Sequence, residues 1–333
     1  MTVLGGLILL ILLVWQSAVV RVPYVELGPG PTVNTLGEVD GKDVISLSGV
    51  PETSSAGQLR LVTVSVQPQI NLVQAVRGWL AGDYAVVPRE LVYPPDRSEK
   101  QVDQQNAQDF KDSQNSAETS ALRELGYPVQ VTVSKVQDGA PAAGVLQVGD
   151  VITSVDGTAV TSTPQLTELI RAKPAGTART IGYTRAGTAS TATVTTAAGD
   201  GGAPRIGVEI EPKQPHPFQL SFDLDRIGGP SAGLMFALAI IDKVKPEDLT
   251  GGKVIAGTGT IDDAGDVGRI GGIPQKLVGA KAAGAQWFLT PDGNCAEAMA
   301  NRQPGLPLVK IKTLDDALSA LEKIRAGQTP PLC

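Results

Sequence analysis

The stretch IGGPSAGLMFALAIIDK, residues 227–243, constrains the fold more than any other part of this 333-residue chain. Two glycines and a proline precede Ser231, and none of them suits a helix interior, so we expect a helix to begin near Ser231. The residues that follow are apolar on nearly every face, which predicts a helix buried in a protein core. Ser231 is therefore predicted to lie beside the unpaired N–H groups and the positive dipole end of that helix.

Two roles remain open for Ser231 on this segment alone. The hydroxyl can cap the helix, which is a purely structural role. It can instead be a nucleophile, with the helix-start N–H groups stabilising an oxyanion. A third interpretation, a phosphate site at a glycine-rich helix start, lacks a nearby lysine or acidic metal ligand. A nucleophilic serine needs a base, so the choice depends on the bases that the chain offers.

The composition excludes most of the usual bases, metals and cofactors. The one histidine, His216, lies between prolines in a predicted surface loop, so a Ser-His-Asp triad would depend on it alone. One histidine and two cysteines exclude an HExxH site and a four-thiolate zinc site. GGKV at Gly251 lacks the spacing and the hydroxyl of a P-loop. We therefore expect no metal and no nucleotide cofactor, and the net charge of −6 argues against nucleic acid.

The two cysteines are Cys295 and Cys333. No histidine lies near Cys295 in the sequence to activate it, so a catalytic thiol is not predicted. One disulfide between the two cysteines, in an oxidising compartment, and two free buried thiols both remain open.

Lys276 is the candidate base, because helical spacing places it over Gly279, Ala280 and Ala283. Such small neighbours permit close packing, which would remove water from the ammonium group and lower its pKa. A lysine that is neutral near physiological pH can serve as general base to a serine. An ordinary surface lysine is the alternative, and Lys281 on the same helix is interpreted as one.

Three segments resemble the proteolytic domain of Lon, a peptidase family with a Ser-Lys dyad: GGPSAGLMFAL, GTGTIDDAGDVGRIGGIPQKLVGAKAAGA and FLTPDGN. The resemblance covers about residues 205–321. It implies that Ser231 is the nucleophile and that Lys276, 45 residues later (276 − 231), is the base. It also implies that Thr258 helps to hold the lysine.

Other positions of the same motifs support or depart from the Lon pattern. Gly229 permits close backbone approach, and Pro230 sets the direction of the chain into the helix. Gly228 stands where Lon has an acidic residue, and Thr260 stands where Lon has a glutamate after Thr-Gly. Neither departure falls on the dyad. The missing P-loop indicates a peptidase that is independent of ATP.

A second resemblance is to the PDZ domains of bacterial envelope proteases, through GAPAAGVLQVGDVITSVDGTAV, residues 139–160. PDZ domains bind a peptide C-terminus as an added strand, with its carboxylate held by backbone N–H groups of a loop. The resemblance implies that this loop is LGYPV, although Pro128 removes one donor. The alternative is a PDZ domain that acts only as a lid or a spacer. The candidate peptide-binding residues are Leu125, Gly126, Tyr127 and Val129.

The N-terminal stretch of about 18 uncharged residues, 3–20, is at the lower edge of membrane-spanning length. We interpret it as an uncleaved anchor, since a basic n-region and a small-x-small cleavage site are both missing. A cleaved signal peptide is the alternative. The expected localisation is a single-pass membrane protein with its bulk outside the cytoplasm, where a disulfide would fit.

The predicted fold is an α+β multidomain chain. We expect a transmembrane anchor at residues 1–22, a segment at 23–124 that packs with the protease domain, a PDZ domain at 125–198 and a Lon-type domain at 199–333. The polar segment AQDFKDSQNSAETSALREL is predicted as a surface helix. Residues 57–76 resemble the early strand and helix of the Lon proteolytic fold, which implies that the PDZ domain is inserted into the protease domain.

Anchor, PDZ signature and dyad together resemble the membrane-anchored PDZ-Lon proteins of Gram-positive bacteria and actinobacteria. The resemblance implies a serine endopeptidase whose partners are protein or peptide substrates and the membrane. It also implies a homo-oligomer, since Lon relatives form hexameric rings. The alternative is a PDZ peptide-binding scaffold whose protease activity is latent or lost.

Overall fold

The computed structural model describes residues 2–51, 53, 55–224 and 228–333. The chain divides into two compact units. The first consists of Met1–Ala121 together with Phe218–Cys333, and the second is Leu122–Pro217. The first unit is therefore built from two segments that lie on either side of the second unit in the sequence.

The helices of the described residues are, in chain order, α1 (Thr2–Val19), α2 (Leu72–Leu80), α3 (Glu99–Glu124), α4 (Thr163–Arg171), α5 (Gly233–Val244), α6 (Ile273–Ala282), α7 (Cys295–Ala300) and α8 (Leu314–Arg325).

The strands follow in the same order. They are β1 (Arg21–Val22), β2 (Tyr24–Asn34), β3 (Glu38–Val39), β4 (Lys42–Asp43), β5 (Ile45–Ser48), β6 (Gln58–Gln67), β7 (Ile70–Asn71), β8 (Ala85–Pro88), β9 (Gln130–Val136), β10 (Val151–Val155), β11 (Thr158–Ala159), β12 (Ala178–Arg185), β13 (Thr188–Thr195), β14 (Ala197–Ala198), β15 (Pro204–Arg205), β16 (Val208–Lys213), β17 (Gln219–Phe222), β18 (Val254–Gly257), β19 (Thr260–Ile261), β20 (Val267–Gly268), β21 (Trp287–Pro291) and β22 (Leu308–Ile311).

Helix α5 is the buried helix that the sequence predicts. Every residue from Gly233 to Lys243 is buried. The helix begins two residues later than predicted, because Pro230–Ala232 form a 3₁₀ turn in front of it. Gly229 precedes this turn with φ of 86°, a conformation that glycine adopts without strain. Ser231 therefore lies in a tight turn rather than in the first α-helical turn.

The first unit is built on a six-stranded sheet in the order β22-β21-β18-β6-β2-β8. Strand β18 pairs in parallel with β6 and β21, whereas β2 pairs antiparallel with β6 and β8. The pairing between β6 and β18 ends at Leu61 and Gly257, so β6 continues over residues 62–67 without β18 beside it. Helix α6 packs through Ile273 and Leu277 in a core cluster with Val62. The two strands thus separate beside the N-terminal end of α6.

Helix α3 is not the simple surface helix that its polar sequence predicts. Phe110, Ser113 and Ala117 are buried along one face at spacings of three and four residues. The Phe110 ring packs edge-to-face on Phe236 of α5, with 5.6 Å between ring centroids. Small polar residues on the buried face conceal its amphipathic pattern, so the surface-helix prediction is wrong for this face.

The second unit contains a sheet in the order β13-β12-β10-β9-β16, with β11 paired to β10. Helix α4 begins after Ser162, whose side chain accepts a hydrogen bond from the Gln165 N–H. A tight turn at Asp156 and Gly157, with φ of 50° and 82°, joins β10 to β11. Strand β9 has β10 on one side and β16 on the other, which leaves β16 at the edge of the sheet.

The prediction of a membrane anchor at residues 1–22 is wrong. No helix in the described part of the chain is both long enough and apolar enough to cross a membrane. Helix α1 has 18 residues, a length of about 27 Å at 1.5 Å per residue, which is at the lower limit for crossing a hydrocarbon core of ~30 Å. The predicted localisation as a single-pass membrane protein is wrong for the same reason.

Cys295 at the start of α7 is joined by a disulfide to Cys333. The C-terminal segment also runs beside β22: the Lys310 N–H donates to the Pro331 carbonyl, and the Cys333 N–H donates to the Leu308 carbonyl. The disulfide therefore closes a loop that contains β22 and α8.

We expect Cys333→Ser to lower the free energy of unfolding by about 3–4 kcal/mol, because a closed loop of this length restricts the unfolded chain. Chemical denaturation of wild type and variant would measure the difference. Mass spectrometry of the unreduced protein after thiol alkylation provides the check, and two alkylated cysteines in the wild type would contradict the pairing.

Candidate functional site

The structure brings Ser231, Lys276 and Thr258 together in the first unit. The Lys276 Nζ lies 2.9 Å from the Ser231 Oγ and 3.0 Å from the Thr258 Oγ1. The Thr258 hydroxyl in turn donates to the Ser231 backbone carbonyl at 3.0 Å. Thr258 therefore holds the lysine amine and the main chain of the serine at once.

Lys276 is almost completely buried, with 3% of its surface exposed. Burial is the cause that lowers the pKa of Lys276 to about 8. Among the described residues, no carboxylate lies within ion-pair distance of the amine to oppose this shift. At pH 7 roughly a tenth of Lys276 is therefore uncharged and able to accept a proton, and this fraction rises to about half at pH 8.

Close packing of α6 on the sheet produces this burial. Gly272, with φ of 71°, starts the helix so near β6 that an added Cβ would sit 2.5 Å from the Val64 side chain. Gly279 faces the Gly30 carbonyl of β2, where an added Cβ would sit 3.5 Å from the oxygen. Ala280 is fully buried, as the strip of small residues predicts, whereas Lys281 is exposed.

The loop that carries Ser231 is held by backbone contacts. The Gly259 N–H donates to the Ser231 carbonyl at 3.0 Å, and the Leu234 N–H donates to the Gly259 carbonyl at 3.2 Å. The N–H of Ser231 itself makes no hydrogen bond with a described residue. An N–H in this position is a donor that a developing oxyanion could use.

A cleft of about 670 Å³ opens beside Ser231, where β6 and β18 separate. Ligand sites in open α/β sheets commonly lie beyond the carboxyl ends of parallel strands. The backbone of β6 beyond Leu61 borders this cleft and has no β18 partner there. The cleft is lined by Leu27, Pro31, Leu61, Val62, Thr63, Val64, Gly228, Gly229, Pro230, Ser231, Ala232, Thr260, Arg269, Ile270, Gly271, Gly272 and Lys276.

Helix α3 supports the serine loop, a function that the sequence prediction missed. The Ser113 hydroxyl, on a residue that is only 5% exposed, donates to the Pro230 carbonyl at 3.0 Å. The Gly229 N–H donates to the Asn106 carbonyl at 2.9 Å. An added Cβ on Gly233 would lie 2.9 Å from the Ser113 Oγ, so helix and loop are in close contact. The helical spacing of Phe110, Ser113 and Ala117 was the sequence signal from which this buried face could have been predicted.

The predicted peptide-binding loop lies at the start of β9. That strand is paired on both sides at Val131 and Thr132, so a peptide cannot add as a further strand there. The open edges of this sheet in the described chain are the outer sides of β13 and β16. Leu125, Gly126, Tyr127 and Val129 therefore precede a strand that has neighbours on both sides, and their role in peptide binding stays a prediction.

A separate groove of about 210 Å³ lies between β16 and α4. The loop before β16 supplies the N–H groups of Ile206 and Gly207, which make no hydrogen bond with a described residue. Arg171 at the end of α4 and Arg205 line the same groove. His216, the one histidine, lies in this second unit, with its Nδ1 2.7 Å from the Gln214 carbonyl oxygen.

The chain matches two protein families. Residues 102–196 match the PDZ domain, and residues 227–321 match the Lon protease (S16) C-terminal proteolytic domain. The chain is thus similar to a PDZ domain over one segment and to a Lon-type proteolytic domain over another, in a mixed α/β architecture.

Two curated relatives share the proteolytic part. The mitochondrial Lon protease homolog of Eremothecium gossypii is 38% identical over 98 residues, which is 28% of this chain and 9% of that protein. The archaeal Lon protease of Methanocaldococcus jannaschii is 29% identical over 113 residues, which is 34% of this chain and 17% of that protein. The chain thus spans only a small part of either relative.

Solved structures with similarity include two PDZ domains. That of the SdrC-like protein of Listeria monocytogenes is 33% identical, with a TM-score of 0.23, and covers 24% of this chain and 85% of its own. That of the SdrC-like protein of Listeria innocua is 31% identical, with a TM-score of 0.24, and covers 26% of this chain and 99% of its own.

We expect Ser113→Ala to destabilise the protein by about 1–3 kcal/mol, because it leaves the Pro230 carbonyl without its side-chain donor. Chemical denaturation would measure the loss. Ser120→Ala is the matched control, since Ser120 is equally buried on α3 but bonds only to the Ala117 carbonyl of its own helix. Equal losses in the two variants would argue that the contact with the serine loop contributes nothing specific.

Proposed function

We propose that the chain is an ATP-independent serine endopeptidase of the Lon type, with Ser231 as nucleophile and Lys276 as general base. The distance of 2.9 Å between the Lys276 Nζ and the Ser231 Oγ, at a buried lysine, is the observation that carries the proposal. No P-loop occurs in the sequence, so the proposed reaction uses no nucleotide bound by this chain.

The proposed reaction begins with neutral Lys276. Its Nζ donates one hydrogen to the Thr258 hydroxyl, which directs the nitrogen lone pair towards the Ser231 O–H. Lys276 accepts the serine proton as the Oγ attacks the peptide carbonyl, and the N–H of Ser231 donates a hydrogen bond to the developing oxyanion. The resulting ammonium group returns its proton to the leaving amine. Water, deprotonated by the same lysine, then attacks the acyl-enzyme, and the lysine returns this proton to the Ser231 Oγ as the acyl–oxygen bond breaks.

Substrate peptides are proposed to bind in extended form along β6. Residues 62–67 extend past the end of β18, and their backbone borders the cleft that contains Ser231. An extended peptide added to this edge would place its carbonyl groups next to the serine loop. The arrangement favours unfolded segments over compact domains, because only an extended backbone can pair with a strand edge.

The order of the domains is also part of the proposal. Strand β6 precedes the second unit in the chain, whereas β18, β21 and β22 follow it, and all four belong to one sheet. We therefore propose that the PDZ domain is inserted into the proteolytic domain.

We expect Ser231→Ala and Lys276→Ala to lower the cleavage of unfolded casein, without ATP, by roughly a thousandfold or more. Wild-type activity should rise through pH 8 and fall about a hundredfold from its plateau at pH 6, because the pKa of Lys276 is about 8 and only the neutral amine accepts the proton. Lys281→Ala, on the exposed face of α6, is the control and should behave as wild type. Undiminished cleavage by Ser231→Ala would refute the dyad.

A second function, peptide binding, is proposed for the groove between β16 and α4. The open edge of β16 can pair with an extended peptide, and the free N–H groups of Ile206 and Gly207 can hold its carboxylate. Arg171 and Arg205 add positive charge at the same groove. We propose this groove in place of the loop at residues 125–129. A scaffold without peptidase activity would use this groove alone.

We expect a fluorescein-labelled decapeptide that ends in valine with a free carboxylate to bind Ser231→Ala protein more tightly than its C-terminal amide. The added change Arg171→Glu/Arg205→Glu should weaken binding of the free acid about tenfold, because two favourable charges become repulsive. Fluorescence anisotropy would measure both. Equal affinities of acid and amide would argue against carboxylate recognition, and Arg97→Glu serves as a charge-reversal control outside the groove.

A further inference from the structure

Arg269 is the one exposed charged side chain among the described residues that line the Ser231 cleft. The other charged lining residue, Lys276, is buried, and the lining contains no aspartate or glutamate. Most of the wall is apolar, through residues such as Leu27, Val62 and Ile270. The charge offered to a substrate by the described part of this cleft is therefore a single guanidinium group.

The guanidinium of Arg269 has no partner within the described chain. None of the ion pairs or side-chain hydrogen bonds of the described residues includes it. An arginine carries its charge at all physiological pH values and offers five N–H donors in a fixed fork that fits a carboxylate. An unpaired arginine in a substrate cleft is thus able to bind an anionic group on the substrate.

The backbone that presents Arg269 is fixed. Asn294, which is completely buried, accepts a hydrogen bond from the Ile270 N–H and donates one to the Ile270 carbonyl, both at 2.9 Å. Gly293 brings the main chain close to the arginine stem: an added Cβ there would lie 3.2 Å from the Arg269 Cβ. The same loop leads through Gly272 into α6, so Arg269 and the dyad lysine are carried by one continuous segment.

We propose that Arg269 selects peptide segments with an acidic side chain close to the scissile bond. The inference rests on the proposed peptidase function and names the substrate class of that site. A glutamate or aspartate within reach of Arg269 forms a charge-assisted hydrogen bond in a largely apolar cleft. A lysine or arginine at the same place meets a like charge.

The test uses a fluorogenic peptide that wild type cleaves, with glutamine placed in turn at each of three positions on either side of the scissile bond. Each glutamine peptide is compared with its glutamate counterpart at low salt. We expect glutamate to raise kcat/KM about tenfold at one or more positions, which is the scale of a charge-assisted hydrogen bond. In Arg269→Gln the ratio of kcat/KM for the glutamate peptide to that for the glutamine peptide should fall to less than twofold. Arg302 is an exposed arginine outside the cleft, so Arg302→Gln should keep the wild-type ratio.

Fluorescence anisotropy also measures the affinity of the same peptide pairs for Ser231→Ala protein, with and without the added change Arg269→Gln. This binding readout separates the two proposals, because it needs no turnover. If wild type cleaves no peptide but the glutamate form binds more tightly through Arg269, the peptidase proposal fails and the selectivity stands. Ratios within twofold in wild type, or a glutamate preference that persists in Arg269→Gln, would overturn the inference.

Discussion

The site depends on one interaction, the contact of a desolvated lysine amine with a serine hydroxyl. Lys276 is held at 2.9 Å from the Ser231 Oγ by a helix that packs tightly on β2 and β6. That packing removes water from the ammonium group and lowers its pKa to about 8. The glycine at position 272 allows the close approach, so the chemistry of the base follows from the shape of the backbone beneath it.

The sequence predicts the catalytic candidates better than it predicts their surroundings. Ser231 and Lys276 lie in compact motifs with strong local signals, a glycine-proline turn and a strip of small residues, and the structure brings them together. The supporting residue Ser113 escaped prediction because a serine on a buried helix face looks like a surface residue. Its partner, the Pro230 carbonyl, lies 117 residues away in the sequence and is brought near only by the fold.

Strand order is the property that local patterns could not supply for the second unit. The loop at Leu125–Val129 precedes a well-formed strand, as a peptide-binding loop should, but β16 pairs along the outer side of that strand. Pairing between segments that are distant in the sequence decides which strand remains at the edge. The alternating pattern of a strand is the same at the edge of a sheet and inside it, so the pattern does not predict the strand order. The prediction of a membrane anchor in the N-terminal helix was wrong for a different reason, because the length of that helix lies at the limit for crossing a bilayer.

A neutral lysine base also restricts what else the cleft can contain. A carboxylate about 4 Å from the amine would favour the ammonium form by roughly 4 kcal/mol at an effective dielectric of about 20, which would cancel the effect of burial. The described lining has no acidic residue. A positive group such as Arg269 does not oppose deprotonation of Lys276 in this way. An uncharged base and an apolar cleft with a single cation are therefore compatible, whereas a carboxylate placed beside the amine would restore the charged form of the base.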